Sequence, residues 1–237
     1  MDIVELCLMT HVLAAQRAFY VETFDLTLLT DDQESFAVQA GHTRLVFEQA
    51  SPAASSPSYH FAFNIPENML EQAKRWLSQR TQLLPIDDTD EVYFEEWNAH
   101  ACYFHDPAGN IVEFIARHDL RNSAPGPFGP GDILGVSEIG LPVPDVGVTV
   151  RALKVEVGLL PWRPPSETFA ALGDDDGLVI VVKQGRPWLP TGEPAAAHPV
   201  GVTFQGTTDA TYTVPDLPYH IAILGATADR GSEPGKS

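Results

Sequence analysis

A single acidic residue interrupts an apolar run near the middle of the chain. Glu113 lies within residues 110–116 (Asn-Ile-Val-Glu-Phe-Ile-Ala), a pattern that predicts a buried strand. Burying a carboxylate without a partner is costly, so a compensating group is expected beside it. A divalent cation would compensate the charge. An ion pair with Arg117 or with His60 would do so without a metal, and the residue types leave both interpretations open.

Other side chains that could reach Glu113 lie on neighbouring predicted strands. Because successive side chains of a strand point to opposite faces, Glu5 shares a face with Cys7 in the first strand, while His60 begins a strand of its own. Tyr103 precedes Glu113 on the adjacent predicted strand and faces the same cavity if the two strands pair. A tyrosine at such a position serves either in proton transfer or in packing.

The elements that must position these residues form a repeated unit of one strand, one helix and three strands. Apolar runs and turn residues predict the first unit at residues 4–10, 13–24, 26–30, 35–39 and 43–48. They predict the second unit at residues 59–65, 66–79, 83–85 or 92–94, 99–104 and 111–116. This order predicts an α+β fold in which repeated βαβββ units form half-open curved sheets, the first two units pairing with each other.

A third unit follows residues 122–132, whose proline and glycine content is typical of a linker. Shifting the first unit by 133 positions (138 − 5 = 133) places Glu5 on Glu138 and supports a repeat. No helical pattern separates the strands predicted near the C-terminus, so a complete fourth unit is not visible. We therefore predict a first module, a linker, a second incomplete module and a mobile tail at residues 1–121, 122–132, 133–224 and 225–237.

Composition narrows the class of protein. The chain has 237 residues, and its 32 acidic against 14 basic residues give a formal charge of -18, which repels nucleic-acid phosphates and anionic lipid. Two cysteines, Cys7 and Cys102, cannot form a disulfide framework. No basic leader segment or long apolar run follows Met1. These features predict a cytoplasmic protein with neither nucleic acid nor a membrane as its partner.

Two motifs of the second unit resemble those of a known family. Residues 60–63 (His-Phe-Ala-Phe) open the unit, and residues 106–113 (Asp-Pro-Ala-Gly-Asn-Ile-Val-Glu) close it. Both resemble the vicinal oxygen chelate superfamily, which includes glyoxalases, extradiol ring-cleaving dioxygenases, fosfomycin-modifying enzymes and bleomycin-resistance proteins. The resemblance covers about residues 3–117 well and residues 133–183 more weakly. It implies a glyoxalase/dioxygenase-like fold and a small-molecule substrate.

The resemblance also implies roles for individual residues. It places metal ligands at Glu5, His60 and Glu113, and an acid-base group at Tyr103. Most relatives hold histidine where this chain has Glu5, and a set of two carboxylates and one imidazole favours a harder divalent metal than the 2-His-1-carboxylate set. The sequence leaves Mn, Fe, Zn, Ni and Mg open. Glu138 repeats the position of Glu5 in a unit without a closing glutamate, which favours a framework role for glutamate at this position over a ligand role and leaves the role of Glu138 itself open.

Two functions remain open on this sequence, and a third interpretation is a degenerate module that serves mainly in assembly. The first is a metal-dependent lyase, isomerase or dioxygenase that acts on a small oxygen-rich organic molecule. The alternative is a metal-free protein that binds and sequesters a small molecule, as in the bleomycin-resistance branch of the family. An odd number of units also makes a homodimer plausible, since family members pair modules within or between chains.

Overall fold

The computed structural model describes residues 1–225, and the rest of the predicted tail, residues 226–237, lies outside the described residues. Within this part of the chain, three α-helices are α1 (Leu13–Arg17), α2 (Leu70–Ser78) and α3 (Val146–Glu156). The strands are β1 (Ile3–Thr10), β2 (Thr27–Asp31), β3 (Ser35–Ala40), β4 (Thr43–Gln49), β5 (His60–Ile65), β6 (Val92–Phe94), β7 (Ala99–His105), β8 (Ile111–Arg117), β9 (Gly135–Val143), β10 (Phe169–Asp174), β11 (Gly177–Lys183), β12 (Val200–Gly206), β13 (Ala210–Thr213) and β14 (Tyr219–Gly225). None of the helices described is both long enough and apolar enough to span a bilayer.

The strands form two mixed sheets of seven strands each. The first sheet has the order β13-β14-β12-β1-β4-β3-β2, and the second sheet has the order β10-β11-β9-β5-β8-β7-β6. Each sheet therefore joins one complete unit to one shorter unit. The predicted α+β class and its repeated units are confirmed, and β12 leads to β13 without an intervening helix, as the sequence pattern indicated.

The pairing of the units differs from the expected one. The first strands of units one and two do not pair with each other, because β5 pairs antiparallel with β9 and β1 pairs antiparallel with β12. Unit two thus shares a sheet with unit three, and unit one shares a sheet with the C-terminal strands. The predicted pairing of units one and two is wrong. The module boundaries drawn along the sequence stay a prediction.

The main core lies between the two sheets and is closed by the helices. Alternation along β1 sends Leu6 and Leu8 into this core, and alternation along β5 does the same for Phe61 and Phe63. The opposite face of each sheet is then free to carry other side chains. His60 begins β5 on that opposite face of the second sheet.

The second sheet curls until its two edges approach each other. Trp97, which follows β6 at one edge, stacks on Trp162, which precedes β10 at the other, with ring centroids 4.6 Å apart. Arg163 also donates a hydrogen bond to the carbonyl of Glu96 at 2.7 Å. The contacts bridge the edges and make this sheet a half-barrel with a concave outer face.

A buried turn fixes the start of β8. Asp106 accepts hydrogen bonds from Gln16 at 2.7 Å and from the Tyr20 hydroxyl at 3.0 Å, both on the helical segment of unit one. Its carboxylate also accepts from the side chain of Asn110 at 2.7 Å. Unit one therefore contributes to the site by holding the turn that leads to Glu113.

Candidate metal centre

A cavity of about 280 Å³ opens on the concave face of the second sheet. Its aromatic walls are formed by Phe94, Trp97, Tyr103, Phe169 and Trp188. Its charged and metal-ligating side chains are His60, Glu113, Glu138 and Arg186. A mostly apolar cavity with a few convergent polar groups is typical of a small-molecule site.

Three neighbouring strands bring His60, Glu113 and Glu138 together. In the strand register, Ala62 of β5 lies opposite Glu113 of β8 on one side and opposite Glu138 of β9 on the other. The small Ala62 side chain leaves room for both carboxylates to meet above it. One ligand atom from each of the three residues lies within 4.8 Å of the others, and no other such group occurs among residues 1–225.

The orientation of His60 leaves one ring nitrogen available. Nδ1 lies 3.1 Å from the carbonyl oxygen of Ile111, which can only accept, so Nδ1 carries the proton. Nε2 of the neutral ring therefore presents a lone pair, 3.5 Å from a carboxylate oxygen of Glu113. Two acceptors that face each other need a proton or a cation between them. The donor set of one imidazole and two carboxylates fits a divalent metal ion.

Glu138 is held by a buried arginine. The guanidinium of Arg117 donates from Nη2 to Glu138 and from Nε to Asn64, the latter at 3.2 Å. Nη1 has no hydrogen-bond partner among the described residues and lies 3.7 Å from a carboxylate oxygen of Asp175. Since the guanidinium is fully buried, this ion pair fixes both the charge and the orientation of Glu138.

Burial shifts the protonation of all three residues. It lowers the pKa of His60 to about 4, with Arg186 adding to the effect, so the ring is neutral at pH 7. Burial, reinforced by the neighbouring Glu138, raises the pKa of Glu113 well above its usual range. Burial also raises the pKa of Glu138, although the attraction of Arg117 opposes the shift. One arginine does not fully compensate two buried carboxylates.

Tyr103 lies on β7 directly opposite Glu113 on β8. Its side chain is buried in the cavity wall, and its ring centroid is 6.2 Å from that of His60. Burial, and then the nearby charge of Glu113, raise the pKa of Tyr103 well above its usual value. The phenol therefore keeps its proton at neutral pH, so it can donate but not accept a proton.

The structure brings together two of the three ligands expected from sequence. His60 and Glu113 meet as expected, whereas Glu5 lies on the first sheet and pairs with Arg44 at 2.6 Å. Glu138 occupies the place expected for Glu5, because β9 rather than β1 lies beside β5. The 133-residue shift that aligns Glu5 with Glu138 was the sequence signal for this residue, and it was interpreted as a framework position.

Solved structures share the fold over almost the whole chain. Glyoxalase I from Zea mays gives a TM-score of 0.58 at 14% identity, over 94% of this chain and 92% of the maize chain. Its V278E mutant gives 0.59 at 14% identity with the same coverage of 94% and 92%. A candidate dioxygenase from Bacillus subtilis gives 0.60 at 15% identity, over 95% of this chain and 86% of that protein.

No protein-family model and no curated protein sequence matches the chain. The structural likeness confirms the predicted fold, which the chain shares with glyoxalase I and with the candidate dioxygenase. The chain has the glyoxalase/dioxygenase fold, and this fold carries a buried His-Glu-Glu cluster on one of its two sheets.

Proposed function

We propose that this protein is a metal-dependent enzyme that acts on a small organic molecule with two adjacent oxygen atoms. The observation that supports the proposal is the convergence of His60, Glu113 and Glu138 at the wall of the cavity. We propose these three as the metal ligands, with Glu138 in place of Glu5. The cytoplasmic location and the homodimer stay predictions.

The charges of the site support a divalent ion. Glu113 and Glu138 are both buried, and Arg117 pairs with only one of them. His60, Glu113 and Glu138 would hold a divalent cation, whose charge would compensate the second carboxylate and which would accept the lone pair of His60. With two carboxylates and one imidazole, we expect Mn²⁺ or Mg²⁺ to be preferred over the softer members of the set Mn, Fe, Zn, Ni and Mg.

The residues around the cluster suit Lewis-acid chemistry. A bound divalent ion would polarise two adjacent substrate oxygens and stabilise negative charge that develops on them. Tyr103 holds a proton within the same cavity and is proposed to donate it to a developing oxyanion or enolate. Trp97 and Trp188 add apolar walls to the site. A lyase or isomerase reaction suits this mixed ligand set better than activation of dioxygen.

Metal analysis of the purified protein tests the proposal. We expect a bound divalent metal in the wild type and in Glu5→Gln, whose altered residue lies on the other sheet. We expect His60→Ala, Glu113→Gln and Glu138→Gln to lose metal affinity by at least about tenfold to a hundredfold. Inductively coupled plasma mass spectrometry and Mn²⁺ titration supply the measurements. Equal metal content in all five proteins would refute the proposed ligands.

A metal-free binding protein is the second candidate. The buried Arg117–Glu138 ion pair favours it, because that pair already compensates one carboxylate. A proton on Glu113 would then bridge its oxygen to Nε2 of His60 at 3.5 Å. Under this alternative, neither metal nor a chelator changes the melting temperature, and ligand binding persists in excess EDTA. Stabilisation by added Mn²⁺ would exclude it.

A further inference from the structure

The connection between β11 and β12 covers the cavity. Within residues 184–199, Trp188 donates from its backbone to Glu193 at 2.8 Å, and Ala195 donates to Arg186 at 2.9 Å. The backbone of Gly185 also donates to Ala195 at 2.8 Å. These bonds form a small antiparallel hairpin, which we call the flap. Because Arg186 and Trp188 are two residues apart on one of its arms, both point to the same side, and both line the cavity.

The sheet beneath the flap is shaped to receive it. The ring of Trp188 lies 4.9 Å from that of His60. A Cβ atom at Gly140 of β9 would come within 2.7 Å of the Trp188 ring, so only glycine leaves room for it there. The flap is therefore docked on the second sheet in one position, and this position fixes where Arg186 stands.

Arg186 carries an uncompensated charge at the cavity wall. Within residues 1–225, its side chain forms neither an ion pair nor a hydrogen bond, in contrast to Arg44 and Arg117, which pair with glutamates. Its guanidinium instead lies over the ring of Phe169, 5.2 Å from the centroid. In a chain of net charge -18, a partly buried arginine that faces a cavity without a carboxylate partner is positioned for an anion from outside the chain.

The other walls of the cavity indicate the size, shape and charge of the anion that would fit. Phe94, Trp97, Phe169 and Trp188 offer flat apolar surfaces, and the cavity of about 280 Å³ is small. A singly charged carboxylate matches one guanidinium in charge and in planar geometry, whereas a phosphate dianion would bring a second, unpaired charge into apolar surroundings.

We infer that the cavity binds a small planar organic acid. Its carboxylate pairs with Arg186, its ring lies against the aromatic walls, and its opposite end faces His60, Glu113 and Glu138. The inference rests on the proposed function only for that opposite end, where two adjacent oxygens would meet the metal. The carboxylate subsite is a property of the flap and does not require a metal.

The first experiment uses protein freed of metal with EDTA. Benzoate and benzamide share ring and shape, and only benzoate is charged. By isothermal titration calorimetry, we expect the wild type to prefer benzoate by about tenfold or more. Arg186→Gln should abolish the preference, and Arg186→Lys should retain part of it. Arg44→Gln is the matched control, because Arg44 lies on the first sheet and pairs with Glu5 away from the cavity lining.

The second experiment separates this inference from the proposed function. Catechol and 3,4-dihydroxybenzoate share two adjacent oxygens and differ by one carboxylate. We expect Mn²⁺ to tighten binding of both to the wild type but not to Glu113→Gln, while both proteins prefer the acid.

If Mn²⁺ has no effect but the preference for acids persists, the proposed function fails and the carboxylate subsite stands. The inference is overturned if the wild type binds benzoate no tighter than benzamide, if it shows no binding at millimolar benzoate, or if Arg44→Gln loses the preference as fully as Arg186→Gln does. Unchanged melting temperatures of the Arg186 variants would show that a loss of preference is local.

Discussion

The outer faces of the two sheets carry the same residue pair in different surroundings. Glu5 on the first sheet and Glu138 on the second occupy equivalent positions of the repeat, and each pairs with an arginine. The side chains of Glu5 and Arg44 are 42% and 39% exposed, whereas those of Glu138 and Arg117 are 8% and 0% exposed. The same glutamate is therefore a surface ion pair on one sheet and part of a buried cluster on the other.

Neighbouring strands produce this difference. Glu5 lies between Arg44 of β4 and Thr203 of β12, so neither neighbour is an acid or an imidazole. Glu138 lies beside β5, which contributes His60, and β8 on the far side of β5 contributes Glu113. The flap packs against His60 on the second sheet, and all three residues of the cluster are buried. Glu138 therefore belongs to a candidate metal site and Glu5 does not, because among residues 1–225 only the second sheet supplies the neighbouring ligand residues and the flap.

Replacing Arg117 or Arg44 should reveal the largest difference between the two sheets, measured as the free energy of unfolding. In metal-free protein, we expect Arg117→Met to lower the free energy of unfolding by about 3–5 kcal/mol, because it leaves buried carboxylates without a cation. Arg44→Met removes an exposed ion pair and should cost about 0–1 kcal/mol. Urea denaturation followed by circular dichroism measures both. Similar losses for the two variants would show that burial does not distinguish the pairs.

Adding one methyl group should also affect the two faces unequally. Gly140→Ala places a Cβ atom 2.7 Å from the Trp188 ring, and we expect a cost of about 1–3 kcal/mol with displacement of that ring. Gly201→Ala on the first sheet meets only Cys7 Cβ at 3.3 Å, so its cost should be smaller.

Tryptophan fluorescence reports the displacement in Gly140→Ala. Its emission should shift to longer wavelength as the Trp188 ring gains water, and the shift should disappear in a Trp188→Phe background. An unchanged spectrum in Gly140→Ala would contradict the docked position of the flap.

The pKa of the Cys7 thiol reports the charge and hydration of the outer face of the first sheet. Burial, and then Glu48 and Glu5, raise the pKa of Cys7 to about 12. The thiolate is the reactive form, so its fraction and the alkylation rate should rise about tenfold per pH unit from pH 7 to pH 10. Glu48→Gln should lower this pKa and raise the rate severalfold.

Iodoacetamide kinetics in a Cys102→Ala background measure this reactivity, because Cys7 is then the only thiol. A rate that levels off near pH 8.5 would indicate an ordinary thiol and a more hydrated, less acidic face. That outcome would increase the contrast between the exposed face of the first sheet and the buried cluster of the second.

Much of the fold could be predicted from local pattern. Alternating and helical periodicity indicated the repeated units, and the turn at residues 106–110 was recognisable from its aspartate, proline and glycine. The pattern also singled out Glu113, because a charged residue in an apolar strand needs a partner, and the resemblance to a known family added His60. It did not identify Glu138 as the third member, since several units offered similar strands for pairing with β5.

The contribution of Arg186 and Trp188 was not visible in the sequence for a different reason. They belong to a connection between two strands, and its proline and glycine content predicts only a loop. Nothing local indicates that this loop folds back over the second sheet. Gly140, which makes room for it, resembles any other glycine in a strand until the two are packed together.

The amino-acid sequence by itself determined the elements and their repetition, because these depend on periodicity. It singled out Glu113 through the cost of a buried charge within one segment, and His60 through a motif shared with a known family. Only the tertiary structure decided which strands became neighbours and which glutamate joined His60 and Glu113. Pairing of strands depends on contacts between residues distant along the chain, and equivalent strands of a repeated unit present nearly equivalent edges. The choice among them is made by the packed molecule as a whole.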